Sequence, residues 1–255
     1  MNNLIFVITG TLLFSCSSFA KFDLSVGTQG RTLPALGAEL YADAGYGQVL
    51  WGEREAGDKN VLFGLIRPSL GVSTSAVINS VKAEIEVFPI SFLGLAIGRQ
   101  FIHSNFDFPF FDCDQVTCQG EFTRNYVETK IALGARGWVT LLSYKFDTLR
   151  ASKKSRPIAD WRHVIVGEPG EEVQIERKAL IAKMMGHHMV GLLLENVRFE
   201  GSGEMKESYA AVYQYKPAEV AYMIGAGSFR TSREPTGLIF YFRVNANLIP
   251  SLKLF

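Results

Sequence analysis

The chain has 255 residues, with 26 basic against 25 acidic side chains, 24 glycines and three cysteines. Hydrophobic residues at 47% and charged ones at 20% exclude a disordered chain, a collagenous repeat and a disulfide-stapled miniprotein. A net charge of +1 provides no overall field to neutralise phosphates, which counts against a nucleic-acid partner.

The first twenty residues contain no charged side chain, and an apolar run from Leu4 to Phe14 precedes Ser18-Phe19-Ala20. That is the layout of a secretory signal peptide cut before Lys21. It leaves residues 21–255 as one domain, since no linker or internal repeat divides them. Cys16 offers a rival reading as a lipidated cysteine, but Phe14 is bulky where a small residue is expected. After the cut two cysteines remain, Cys113 and Cys118, in the run FDCDQVTC. An even pair in an exported chain predicts a disulfide closing a small polar loop.

Beyond the signal segment no stretch of 18 or more apolar residues exists, so no transmembrane helix is expected. Hydrophobicity recurs instead at period 2, the signature of strands with one apolar and one polar face. Val81, Ala83, Ile85 and Val87 interleave with Lys82, Glu84 and Glu86. Val127 and Ile131 interleave with Glu128 and Lys130, Leu142, Tyr144 and Phe146 with Lys145, and Phe240, Phe242 and Val244 with Arg243. In chain order the expected strands are 33–42, 46–55, 61–72, 76–88, 92–102, 121–133, 138–148, 173–185, 188–199, 207–216, 219–230 and 237–249. That makes twelve, with ten or fourteen also compatible with the weak alternation before residue 75. Several runs reach ten to thirteen residues, whereas a tilted strand needs about 9–11 to cross a bilayer. From Leu93 onward long loops also alternate with tight turns, the order of an all-β, antiparallel up-and-down barrel. A soluble sandwich has no reason to keep that parity.

These features, with Phe255 closing the chain, resemble bacterial outer-membrane β-barrel proteins. The resemblance implies a transmembrane barrel in the cell outer membrane, surrounded by its lipid. It implies recognition of the last strand and Phe255 by the barrel assembly machinery, and a monomer. Lys253 and Ser251 depart from the apolar residues expected two and four places before Phe255.

On this reading Lys82, Glu84, Glu86, Arg124, Glu128, Lys130, Lys145 and Arg243 face the lumen. Mixed signs there fit a paired, hydrated interior, or a narrow polar pore without clear ion preference. Trp51, Trp138 and Trp161 suit interfacial girdles. His103-Ser104-Asn105 is similar to the His-x-Ser-Asn motif of outer-membrane lipid hydrolases, which implies His103 as general base and Ser104 as nucleophile. Adjacent residues of a strand point to opposite faces, however. No metal-ligand spacing, phosphate loop or cofactor fingerprint is present. The expected role is therefore passive, a small pore or an envelope-structural, surface-exposed barrel. The alternatives are a lipid-acting hydrolase and an adhesion module that uses the Cys113–Cys118 loop.

Overall fold

In the computed structural model, residues 20–32, 37–52, 62–108, 110–153, 155–232 and 236–249 are described. The expected signal segment up to residue 19 and the terminal Phe255 lie outside them. Alternating side-chain chemistry produces long strands: β1 (Ala20–Arg31), β2 (Gly37–Trp51), β3 (Gly64–Thr74), β4 (Ile78–Ile90), β5 (Leu93–Ser104), β6 (Gly120–Ala135) and β7 (Trp138–Ala151). After a short hairpin, β8 (Pro157–Asp160) and β9 (Ile165–Pro169), come β10 (Glu171–Met185), β11 (His188–Phe199), β12 (Met205–Tyr215), β13 (Val220–Thr231) and β14 (Gly237–Ile249).

The twelve long strands form one closed antiparallel barrel, each next to its neighbours in sequence, and β1 pairs with β14 from Leu24↔Ile249 to Arg31↔Tyr241. Closure leaves no strand edge unpaired, which is the condition for placing a sheet in hydrocarbon. Outward positions are apolar and exposed, among them Leu70, Ile85, Ile97, Val127, Leu192, Ile224 and Phe240. Inward positions on the same strands carry Arg67, Glu84, Glu86, Arg124, Asp147 and Glu176, all buried. The architecture is a transmembrane up-and-down barrel of the outer-membrane type.

Inward glycines make room for aromatic rings across the strand pair. At Gly98 an added Cβ would meet the Tyr126 ring at 2.4 Å, and Gly98 and Tyr126 are direct register partners. Tyr126 thereby lies across β5 and its hydroxyl donates to Glu84 Oε2 on β4 at 2.5 Å. A similar ring covers Gly225, where Tyr241 would meet a Cβ at 2.2 Å.

Three expectations need correction. The described parts of 33–42 and 46–55 belong not to two strands but to one, β2 (Gly37–Trp51), and the first barrel strand is β1; residues 33–36 and 53–55 lie outside the described residues. Small residues on both faces of β2 (Ala42, Ala44, Gly45, Gly47) erase the polarity contrast that alternation relies on. The stretch left between the expected strands 138–148 and 173–185 is not all loop, because β8 and β9 form inside it. Trp161 is buried within that connection, stacked on Phe108 at 5.9 Å and edge-on to Phe122 at 5.2 Å, so it belongs to no interfacial girdle. Trp51 and Trp138 are exposed at the rim that holds the chain ends of the barrel. From Leu93 onward the expected parity holds, with connections 105–119 and 152–170 at the opposite rim against 136–137 and 186–187 at this one.

Gly98→Val is expected to push Tyr126 off Glu84 and destabilise the barrel by about 1–3 kcal/mol, the usual cost of overpacking. The measurement is the temperature of the heat-induced gel shift, which falls in the variant and stays unchanged in Gly134→Ala, where an added Cβ meets only Trp138 O at 3.7 Å, an ordinary van der Waals contact.

Candidate functional site

The rim opposite the chain ends is where the long loops converge, and here the barrel is filled. The β8–β9 hairpin tucks into the mouth, with Ile158, Ala159 and Ile165 fully buried. They pack with Phe108, Phe111, Val116 and Cys118 of the 105–119 loop and with Ile102, Phe122, Leu149, Val197 and Phe199 from the wall. Cys113 and Cys118 form a disulfide that closes the loop beside this cluster. Thr117 N donates to Pro157 O at 2.7 Å, and Ala159 N to Thr117 O at 3.2 Å, so the two loops share backbone hydrogen bonds.

Polar latches tie the hairpin to the wall. The buried Glu172 carboxylate accepts backbone N–H bonds from Glu168, Val173, Gly201 and Ser202 at 2.8–3.2 Å, joining the hairpin to the β11–β12 loop. Arg31 Nη2 donates to Trp161 O at 3.2 Å, and Val166 N to Glu204 Oε2 at 3.2 Å. At the tip of the hairpin Val164 takes φ 57°, a left-handed conformation unfavourable for a β-branched residue. Its N–H donates to Asp160 O at 2.8 Å.

Asp160 is the link between hairpin and lumen. Arg124 Nη2 and Gln174 Nε2 donate to its Oδ2 at 3.2 and 3.0 Å, Arg162 N donates to Oδ1 at 2.9 Å, and His163 Nδ1 lies 2.9 Å from Oδ2. Burial alone pushes the Asp160 carboxyl up, but the charges of His163, Arg124 and Arg162 and the His163 hydrogen bond outweigh it. The net effect holds Asp160 well below the usual carboxylate range.

Beneath this layer, paired charges run around the barrel. Arg67 binds Asp23 and Asp43 at 2.5 Å and Glu86 at 3.2 Å. Lys82 pairs with Asp43 and Glu84, and Lys130 with Glu86 and Glu128. Arg124 pairs with Asp147, and Lys145 reaches Asp147 and Glu176. Lys178 then bridges Glu176 and Glu195, and Lys206 binds Glu195 at 2.6 Å. Arg243 donates from Nε to the Tyr41 hydroxyl at 3.0 Å. The structure thus brings together seven of the eight residues assigned to the lumen from sequence, and places Arg243 with Tyr41 on the same inward face.

Sequence reasoning missed Asp23, Asp43, Arg67, Asp147, Asp160, Glu176, Lys178, Glu195 and Lys206. The inward parity of Asp147 with Lys145, and of Glu176 with Lys178, was readable; Asp160 was not, since its partners come from other strands. His163, Glu176 and Glu195 bring potential ligand atoms within 4.8 Å of one another. The ammonium groups of Lys178 and Lys206 already supply positive charge to those carboxylates. His103 and Ser104 lie on opposite faces of β5: His103 is exposed outward, while Ser104 is buried and its hydroxyl has no hydrogen-bond partner among the described residues.

Asp160→Asn is expected to weaken the attachment of the hairpin by on the order of 3 kcal/mol, the scale for breaking a buried ion pair. Trypsin should then cut after Arg162 in the folded barrel, where the wild type resists. The folded carboxyl of Asp160 lies below its unfolded value of about 3.9. Its stabilisation is therefore complete above that value and fades only as pH falls through the lower folded one. An acid-stable protease should find the hairpin still protected at a pH near 4 and exposed in stronger acid.

No model of a known protein family matches this chain, and no curated protein matches it. Among solved structures, the beta domain of the Bordetella autotransporter BrkA aligns with 91% of this chain and 100% of its own, at TM-score 0.47 and 8% identity. The KdgM porin aligns over 88% of this chain and 99% of its own, at 0.46 and 10%. The NanC porin aligns over 89% and 100%, at 0.44 and 10%.

Proposed function

We propose that the chain is an outer-membrane barrel with a passive role in the envelope, held shut at its outer mouth by its own loops. The observation that carries this reading is the β8–β9 hairpin: Ile158, Ala159 and Ile165 are fully buried in the opening where a pore would have water. Beneath it every lysine from Lys82 to Lys206 that enters the lumen network faces a carboxylate, so the lumen offers no ring of a single sign to select permeating ions. The barrel presents its disulfide-closed loop at the cell surface as part of the same plug. His103 and Ser104 have no role in this reading, because opposite faces of a strand keep base and hydroxyl apart.

Planar-bilayer recording tests it. Wild-type protein should insert without resolvable conductance steps, and a variant lacking residues 157–169 should produce stable open steps. Stable steps from the wild type would overturn the plugged-barrel reading in favour of a small pore.

A further inference from the structure

The lipid-facing wall contains an arginine that the barrel itself does not use. Arg99 is exposed on the outward face of β5, between Ile97 and Phe101, which are 57% and 52% exposed. Its guanidinium lies 4.7 Å from the centre of the Phe101 ring and makes no hydrogen bond or ion pair among the described residues. Three outward arginines nearer the outer rim are matched, Arg150 with Glu171, Arg198 with Glu200 and Arg230 with Glu207. Arg177 on β10 lies over the Tyr144 ring at 5.9 Å without an ion pair among the described residues, but in a groove that also holds the Glu207 carboxylate.

Register places Arg99 in a row with Asn125 and Thr148, directly across β6 and β7. One step toward the inner rim runs a parallel row, Ile85, Ile97, Val127 and Phe146. Both rows line a groove of about 930 Å³ on the outer surface, which Leu70 and Tyr46 extend across β3 and β2. Thr148 lies ten residues along β7 from the rim tryptophan Trp138. At ~3.3 Å per residue and a tilt of ~40° that distance is about 25 Å of height. The row is inclined with the strand tilt: Thr148 reaches that height, whereas Arg99, six residues along β5 from Leu93, lies roughly 15 Å up. That is one register step inside the edge where Phe101 gives way across β6 and β7 to Thr123 and Arg150, a distance its long side chain can span toward the headgroups.

We propose that this groove binds one acylated lipid that bears a phosphate monoester, with the phosphate on Arg99 and the acyl chains along the Ile85 to Phe146 row. A guanidinium stacked on an aromatic face keeps its N–H edge free, and that edge fits two phosphate oxygens at once. Asn125 and Thr148 add neutral donors beside it, and no carboxylate aims outward in this row. The inference rests on the reading of the outer wall as lipid-facing.

Native mass spectrometry of the full-length detergent-solubilised protein tests it, with phosphatidic acid, phosphatidylcholine and inorganic phosphate as probes. The wild type should retain one phosphatidic acid. Arg99→Gln should lower that retention tenfold or more, and Arg177→Gln should leave it unchanged, since the groove at Arg177 is a separate one that also contains the Glu207 carboxylate. Equal retention by Arg99→Gln, or equal retention of phosphatidylcholine, would reduce the groove to ordinary lipid contact and overturn the proposal. Displacement of phosphatidic acid by inorganic phosphate at matching concentration would also overturn it, as a site for a soluble anion. The heat-induced gel shift of each variant separates loss of binding from loss of folding. Failure of the wild type to insert into vesicles would instead strike the membrane reading itself.

Discussion

Closure of the sheet between β1 and β14 is the constraint from which the remaining features follow. In hydrocarbon each unpaired backbone N–H or C=O costs several kcal/mol, so a strand pair that leaves an edge cannot stay in a bilayer. The pairing from Leu24↔Ile249 to Arg31↔Tyr241 removes the last two edges. Once the wall is closed, every side chain faces either lipid or the lumen, and the two destinations have opposite chemistry. A slip of one residue along any strand would carry its charged set out into lipid. The charges on Lys82, Glu84, Glu86, Glu128 and Lys130 therefore specify register as well as fill space.

A lumen of twelve strands lies between the width that side chains fill and the width that stays an aqueous channel. The protein meets that intermediate width by two means. In the middle, long ionic side chains reach one another across neighbouring strands, as Arg67 does from β3 to Asp23, Asp43 and Glu86. Buried ion pairs of this kind add little net stability, since desolvation offsets attraction, but separating one partner is costly. They hold the wall in one arrangement. At the outer mouth, where the loops arrive, apolar residues take over and the β8–β9 hairpin supplies them.

The barrel strands from β4 to β7 and from β10 to β14 were legible because their two faces differ sharply; Val81 to Val87 against Lys82 to Glu86 is the clearest case. The start of the barrel was obscured for the opposite reason. On β2 the outward Ala42 and Ala44 and the inward Gly45 and Gly47 are nearly equivalent in size and polarity, so periodicity has no amplitude there. The hairpin was missed because its strands are four and five residues long and are buried on more than one side, which removes alternation altogether. A trace did exist: Ile158-Ala159 and Val164-Ile165-Val166 are apolar runs inside an otherwise polar connection. The opposed directions of His103 and Ser104 follow from strand geometry alone. What no spacing could give is which distant residues Asp160 meets, since Arg124, His163 and Gln174 come from the wall and from the hairpin tip.

That convergence on Asp160 explains why hairpin and barrel form a single unit. Arg124 pairs with both Asp147 on the wall and Asp160 on the hairpin, so removing the hairpin from the mouth leaves a buried guanidinium with half its counter-charge. Glu172 adds a second dependence, because its carboxylate satisfies backbone N–H groups of the hairpin and of the β11–β12 loop together. Withdrawal would expose the apolar cluster to water, unpair Arg124 and strip Glu172 of part of its donors in the same movement. These losses fall on one another rather than in sequence, which makes partial withdrawal as unfavourable per group as full withdrawal. The left-handed backbone at Val164 is tolerated on the same grounds: the surrounding contacts fix the hairpin tip more strongly than the local conformational preference of one valine opposes it.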